Sequence, residues 1–300
     1  MCKSRRHSTE VERRLLYCQP LSGICRTGVA PDENTQTTQT IYCVFILTLN
    51  TIYGMIIVLH ILAQEEGGIT MRIGGLQKLT LLDYPGKVAC TVFLSGCNLR
   101  CPYCHNPGLV LPEQSEGSEI PEAEVLSFLE RRKGKLDGVC ITGGEPTLQL
   151  ELPEFLEKLR RLGYAVKLDT NGTNPAMLKA LLQERVLDYV AMDIKNSPSR
   201  YAETCGGIDC LSRVRESAAL LMDGTVDYEF RTTVCAPLHT PRDMEELGRW
   251  LKGARRYFLQ PFADSGALVG GGVSPPSEDE IKALRDSVLP YIPNTQIRGQ

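Results

Sequence analysis

From Met71 onward, short apolar runs alternate with amphipathic stretches whose apolar positions recur every three or four residues. The runs read as strands of a parallel sheet and the amphipathic stretches as helices that cover it. Val88 to Leu94 is the first apolar strand, Glu122 to Arg132 the first helix, and Gly138 to Thr142 the next strand. Helix Pro153 to Leu162, strand Ala165 to Leu168, helix Pro175 to Glu184 and strand Tyr189 to Met192 follow. Helix Leu211 to Met222, strand Tyr228 to Val234, helix Met244 to Lys252 and strand Tyr257 to Gln260 continue the series. A last helix, Glu278 to Leu289, precedes the short run Thr295 to Arg298. This is an α/β pattern of βα units. Six such units are two short of a closed eightfold barrel.

The first 70 residues do not share the pattern. Residues 1–40 are polar, basic at the start, rich in Thr, Gln and Cys, and without clear periodicity. Ile41 to Ala63 is an uncharged apolar run. It exceeds the roughly 20 residues needed to span a bilayer, so by hydropathy it is a membrane-helix candidate. It lies too far in and runs too long for a secretion signal. Gln64-Glu65-Glu66-Gly67-Gly68 is what a purine-rich ribosome-binding sequence yields when translated through, and Met71 follows at a suitable distance. The expectation is an extension over 1–70 that arises from a misassigned start. Its rival is a membrane tether through 41–63, and 71–300 forms the folded domain.

Composition adds limits. With 300 residues, 42% hydrophobic content and a net charge of −3, the chain is globular rather than disordered. It has no basic stripe, so nucleic acid is not an expected partner. Twelve cysteines are many for a chain of this size. Cytoplasmic thiols stay reduced, and disulfides are not expected. Cys90 and Cys140 lie in strand-like runs as buried small hydrophobes, while Cys205 and Cys210 flank a Gly-Gly turn as unligated thiols.

Cys97, Cys101 and Cys104 carry the chemistry. They lie in the run Ser95 to Pro107 with spacings x3 and x2. Three thiolates on one loop can hold three irons of a [4Fe–4S] cube and leave the fourth iron open for substrate chemistry. A structural zinc site wants two separated ligand pairs, and no second Cys-x2-Cys is present. His105 adjoins Cys104, and the two would strain to bind one tetrahedral metal.

Other polar motifs recur just after strands: Gly143-Gly144-Glu145-Pro146, Asp169-Thr170-Asn171-Gly172 and Asp193-Ile194-Lys195. Ligands of parallel α/β folds bind at the C-terminal strand ends, so these motifs converge on one mouth. Asp193 and Lys195 are two apart and share a strand face, either as ligand-binding groups or as a surface ion pair. Asp169 reads either as a ligand-binding carboxylate or as an N-cap or Asx-turn residue. Arg231 faces either the site or the barrel rim, and His239 has no assigned role.

Residues Gly96 to Pro107 resemble the cluster loop of radical S-adenosylmethionine (radical SAM) enzymes, and within them of the activating enzymes of glycyl-radical enzymes. The resemblance runs from about Met71 to Gly299 and is strongest to activating proteins of anaerobic ribonucleoside-triphosphate reductase. It implies a partial, open (β/α)6 TIM-like barrel of the radical SAM type, with a [4Fe–4S] cluster on Cys97, Cys101 and Cys104. It further implies S-adenosylmethionine held by Tyr103 near the adenine and by Gly143, Gly144 and Glu145 as the methionine-binding motif. Asp169 would meet ribose hydroxyls or the ammonium, Asp193 the amine and Lys195 the carboxylate.

Activating enzymes of the pyruvate formate-lyase type tend to carry a His after the late Pro-aromatic pair, where this chain has Pro261-Phe262-Ala263-Asp264. No Cys-rich ferredoxin-like insert is present, so one cluster per chain is expected. The implied activity is oxidoreductase chemistry: generation of a 5′-deoxyadenosyl radical and installation of a glycyl radical on a partner. The implied partner is an anaerobic ribonucleotide reductase in an anaerobic cytosol, with electrons from flavodoxin, ferredoxin or a thiol system. The alternatives are activation of another glycyl-radical enzyme such as pyruvate formate-lyase, a small-molecule substrate, or a plain iron–sulfur electron carrier.

Overall fold

A computed structural model describes residues 71–111, 119–264 and 266–299. The 1–70 extension, with the apolar run 41–63, lies outside the described residues. Among the described residues no helix is long and apolar enough to cross a membrane.

Eight strands pair in sequence order into one sheet. They are β1 (Ile73–Thr80), β2 (Ala89–Leu94), β3 (Gly138–Gly143), β4 (Ala165–Thr170), β5 (Tyr189–Asp193), β6 (Asp227–Val234), β7 (Tyr257–Pro261) and β8 (Thr295–Ile297). β1 is antiparallel to β2, and all later neighbours are parallel. The order starts at β1 and stops at β8 without pairing the two, so the barrel stays open. Helices α1 (Pro107–Val110) and α2 (Glu122–Glu130) follow β2, α3 (Leu152–Arg161) follows β3 and α4 (Pro175–Gln183) follows β4. Helices α5 (Tyr201–Thr204) and α6 (Leu211–Asp223) follow β5, α7 (Pro241–Trp250) follows β6 and α8 (Glu278–Val288) follows β7. The six βα units and the final short strand are those read from the pattern.

Three elements were not read from it: β1, α1 and α5. β1 reads Ile-Gly-Gly-Leu-Gln-Lys-Leu-Thr, with two glycines and no clean alternation. Pairing to β2 makes it a strand, with two register irregularities along the way. Helix α7 starts at Pro241, earlier than the apolar periodicity shows, because Thr240 and Asp243 form a capping box.

Side-chain alternation divides the sheet into two faces. Val92, Val139, Ile141, Val166, Leu168, Val190 and Phe230 face outward and join the main core with Leu129, Phe155, Leu156 and Leu181 of the helices. Full burial of one such side chain stabilises by about 1.5–3 kcal/mol. The inward face carries different residues. Near its base Tyr84, Ala89, Tyr189 and Ala191 form a separate apolar plug. Tyr189 Oη donates to the buried Glu229 at 2.7 Å, and Arg298 pairs with Glu229 at 2.9 Å. The interior is thus shut below and polar above.

Candidate active site

The cysteine loop leaves the C-terminal end of β2 and is clasped by its neighbours. Gly144 N donates to Leu94 O and Glu145 N to Gly96 O, both at 2.8 Å. Asn171 Nδ2 donates to Asn98 Oδ1 at 3.1 Å, and Asn98 Nδ2 donates to Thr173 Oγ1 at 2.8 Å. From the far side Val269 N donates to Cys104 O at 2.9 Å and Gly270 N to Pro102 O at 3.1 Å. The main-chain N–H groups of Gly144 and Glu145 are therefore spent on the loop. Any main-chain contact this turn makes to a ligand falls to carbonyl oxygens, which suit an ammonium group.

Glycine is required at this junction. Gly143 has φ +126, and a Cβ there would stand 2.2 Å from Leu94 O. A Cβ on Gly144 would stand 2.0 Å from Gly96 O, a backbone atom that cannot step aside cheaply. Gly144→Ala is expected to push the loop away from β3 and to lower the iron retained after reconstitution severalfold, with the barrel still folded. Iron content and far-UV circular dichroism measured together check this.

Beside the loop opens a cleft of about 320 Å³. Its walls include Cys97, Cys101, Cys104, Tyr103, Gly143, Gly144, Asp169, Asp193 and Lys195, which come from four stretches of the chain. Glu145 does not join them. Its carboxylate is buried and accepts from Thr147 N (3.1 Å), Thr147 Oγ1 (2.5 Å), Thr170 Oγ1 (2.7 Å) and Asn171 N (2.6 Å). Burial pushes its pKa up, and these four donors oppose that shift. The Glu145 side chain straps the end of β3 to the end of β4.

Five charged groups alternate in sign across the inner face of three strands. Lys167 pairs with Asp169 Oδ1, Arg231 Nη1 donates to Asp169 Oδ2 (3.1 Å), and Arg231 Nε donates to Asp193 Oδ1 (2.8 Å). Lys195 Nζ then donates to Asp193 Oδ2 (3.0 Å). The β5–β6 register sets Arg231 directly beside Asp193. Asp193 and Lys195 are thus part of an interior network rather than a surface ion pair, and Arg231 is a bridge rather than a rim charge. Asp169 caps nothing: Asn174 caps α4 by accepting from Met177 N, and Asn171 accepts from Thr173 N. Burial pushes both aspartates up, yet Arg231 and the lysines outweigh it and hold both carboxyls below their usual range. Burial pulls Lys195 down, but Asp193 outweighs it and the ammonium is held above its ordinary value. Lys167, Arg231 and Lys195 face Asp169 and Asp193, and the Asp83 carboxylate lies on the same cleft wall, so the positive and negative groups of the cleft balance.

Lys167 was missed at the sequence level, although the signal was there. It is a lysine inside an apolar strand, two residues before Asp169 and so on the same face. His239 also gains a place. Its Nδ1 accepts from Cys235 N (3.1 Å), so Nε2 carries the proton and donates to Lys195 O (2.8 Å). Burial holds this imidazole neutral by lowering its pKa.

The donor set fits an iron–sulfur cube. The three thiols share the cleft wall, but among the described residues no three His, Cys, Asp or Glu converge on a point that could hold one metal ion. A tetrahedral zinc site needs such convergence within about 2.3 Å of the metal, whereas a cube takes one thiolate at each of several corners. Tyr103 adds a buried aromatic ring and hydroxyl on the same wall.

The sequence matches the model of the Radical SAM superfamily over residues 91–251. The chain belongs to that superfamily, whose members work with a [4Fe–4S] cluster and S-adenosylmethionine, and it is an enzyme of that type. A provisionally assigned glycyl-radical enzyme activating enzyme of Methanocaldococcus jannaschii is 32% identical over 234 residues, covering 75% of this chain and 95% of that protein. The pyruvate formate-lyase-activating enzyme of Streptococcus mutans is 27% identical, covering 71% of this chain and 89% of that one. Among solved structures, Streptococcus suis SuiB bound to S-adenosylmethionine superposes with a TM-score of 0.55 at 16% identity. That match covers 68% of this chain, which spans about half (48%) of the SuiB chain, and it shows the common fold.

Proposed function

We propose that this enzyme activates a glycyl-radical enzyme by removing a hydrogen from the Cα of one glycine in a partner protein. The observation that carries the reading is the match at 32% identity across 95% of the Methanocaldococcus jannaschii relative. Cys97, Cys101 and Cys104 would hold three irons of the cluster. Lys195 would take the carboxylate of S-adenosylmethionine, and Asp193 its amine. Asp169 would accept from ribose hydroxyls, and Tyr103 would lie against the adenine. When bound, the two groups supply one-electron cleavage of the sulfonium, giving methionine and a 5′-deoxyadenosyl radical. The chain itself orients the cofactor and excludes water, with the Tyr84–Tyr189 plug sealing the base of the interior.

The partner we propose is an anaerobic ribonucleoside-triphosphate reductase in an anaerobic cytoplasm, with flavodoxin, ferredoxin or another low-potential donor as the electron source. The Pro261-Phe262-Ala263-Asp264 stretch supports it. Here Asp264 Oδ1 accepts from Gly266 N (2.8 Å) and caps its own turn, while Gln260 is the β7 residue on the cleft wall. Pyruvate formate-lyase is the second reading, favoured by the relative in Streptococcus mutans and by one in Clostridium pasteurianum that is 36% identical over 133 residues. The test mixes the reconstituted, dithionite-reduced protein with S-adenosylmethionine and assays 5′-deoxyadenosine. None above background defeats the radical reading. Adding each candidate partner and recording the glycyl-radical doublet by electron paramagnetic resonance then separates the reductase from the lyase.

A further inference from the structure

Lys195 stands two residues beyond the end of β5, past the hydrogen-bond ladder of the sheet. The last bonds to β6 belong to Ile194, whose N donates to Arg231 O at 2.7 Å and whose O accepts from Thr232 Oγ1 at 2.6 Å. Beyond that point side chains hold the main chain. Lys195 N donates to the Tyr201 hydroxyl at 3.2 Å, and Lys195 O accepts from His239 Nε2 at 2.8 Å. Tyr201 and His239 are both buried, so water does not compete for either bond.

The imidazole is itself oriented from two sides. Lys195 O can only accept, so the ring proton sits on Nε2, and Nδ1 accepts from Cys235 N at 3.1 Å. The Tyr103 ring meets the imidazole in an edge contact, with centroids 6.3 Å apart and planes at 61°, which limits turning of the ring. Asn196 Nδ2 donates to Leu238 O at 2.8 Å and ties the residue after Lys195 to the same loop.

We infer that His239 is a positioning residue that acts through Lys195: together with Tyr201 it fixes the lysine's main chain beyond the strand end, and so sets the affinity for the carboxylate of S-adenosylmethionine. The inference rests on Lys195 taking that carboxylate, as proposed above. A lysine ammonium rides on a flexible four-carbon stem, so its aim depends on where its Cα is held. A main chain fixed before the ligand arrives does not lose that freedom on binding.

Calorimetric titration of the reconstituted, unreduced full-length protein with S-adenosylmethionine tests this. His239→Asn keeps an acceptor for Cys235 N but cannot reach Lys195 O, and it is expected to keep its iron and to weaken binding about three- to tenfold, the worth of one hydrogen bond. His239→Gln, whose amide N–H can reach that carbonyl, should recover most of the affinity. Wild-type affinity in His239→Asn would overturn the inference. So would a loss in His239→Gln as large as that in His239→Asn, since packing rather than donation would then be responsible. If His239→Asn does not fold, Tyr201→Phe decides, because it frees the same main chain from its other side, and wild-type affinity there overturns the inference. A wild-type protein that binds no S-adenosylmethionine defeats the cofactor assignment itself, a failure separate from an unmoved affinity in the variants.

Discussion

Cys101→Ala is expected to yield a folded protein that retains no cluster and makes no 5′-deoxyadenosine. The thiolate is the metal ligand, so the ease of deprotonation matters. Burial raises the Cys97 and Cys104 thiols, so both ionise only on taking up metal. Alanine at 101 leaves two thiolates on the loop, too few to hold three irons of the cube. The loop itself survives, because its anchors are main-chain bonds from Gly144, Glu145, Val269 and Gly270. Cys90→Ala, on the outward face of β2, is the control that should bind iron as wild type does. Iron and sulfide analysis with the visible absorption of the cluster decides the matter, and equal loss in both variants would mean the ligands are misassigned.

Arg231→Leu is expected to destabilise the fold by about 1.5–3 kcal/mol at neutral pH, the usual worth of a hydrogen bond to a charged group, because Lys167 and Lys195 still pair with the two carboxylates. Asp169 and Asp193 would lose their shared bridge while both remain largely sheltered, with side chains 13% and 29% exposed. The pH dependence has a definite sign. In the wild type both carboxyls sit below their usual range, so their contribution is present above about pH 4 and fades as pH falls through the depressed values. In the variant the burial that already pushes both carboxyls upward is less opposed, so at least one takes up a proton at a higher pH. The stability gap between variant and wild type should therefore narrow as pH drops from 7 toward 4. Urea unfolding at several pH values measures it, and a gap independent of pH would show that packing and not charge is responsible. Arg231→Lys should recover only part of the stability, since an ammonium cannot span two carboxylates as the guanidinium fork does.

The strap made by Glu145 shows how far a motif can be read. Gly143-Gly144-Glu145-Pro146 was legible as a strand-end turn that faces a ligand, and both glycines do line the cleft. That the glutamate turns inward to join two strand ends depends on Thr170 and Asn171, which are 25 and 26 residues away. No local spacing encodes that meeting. Asp169 likewise offered two readings, and only the inward face of β4, with Arg231 arriving from β6, separated them.

Local sequence was enough for the order of the six βα units and the last strand, though not for β1, α1 and α5, because a period of two or of 3.6 residues is written into the positions of the apolar side chains themselves. It was enough to single out the cysteine loop too, since three cysteines on one short segment need no distant partner to be noticed. The charge chain from Lys167 to Lys195, the sealed base of the interior and the hold of His239 on Lys195 were decided by the tertiary structure alone. Each depends on register between parallel strands or on a turn folded back from another unit, and such contacts follow from curling the sheet into an open barrel rather than from neighbouring residues.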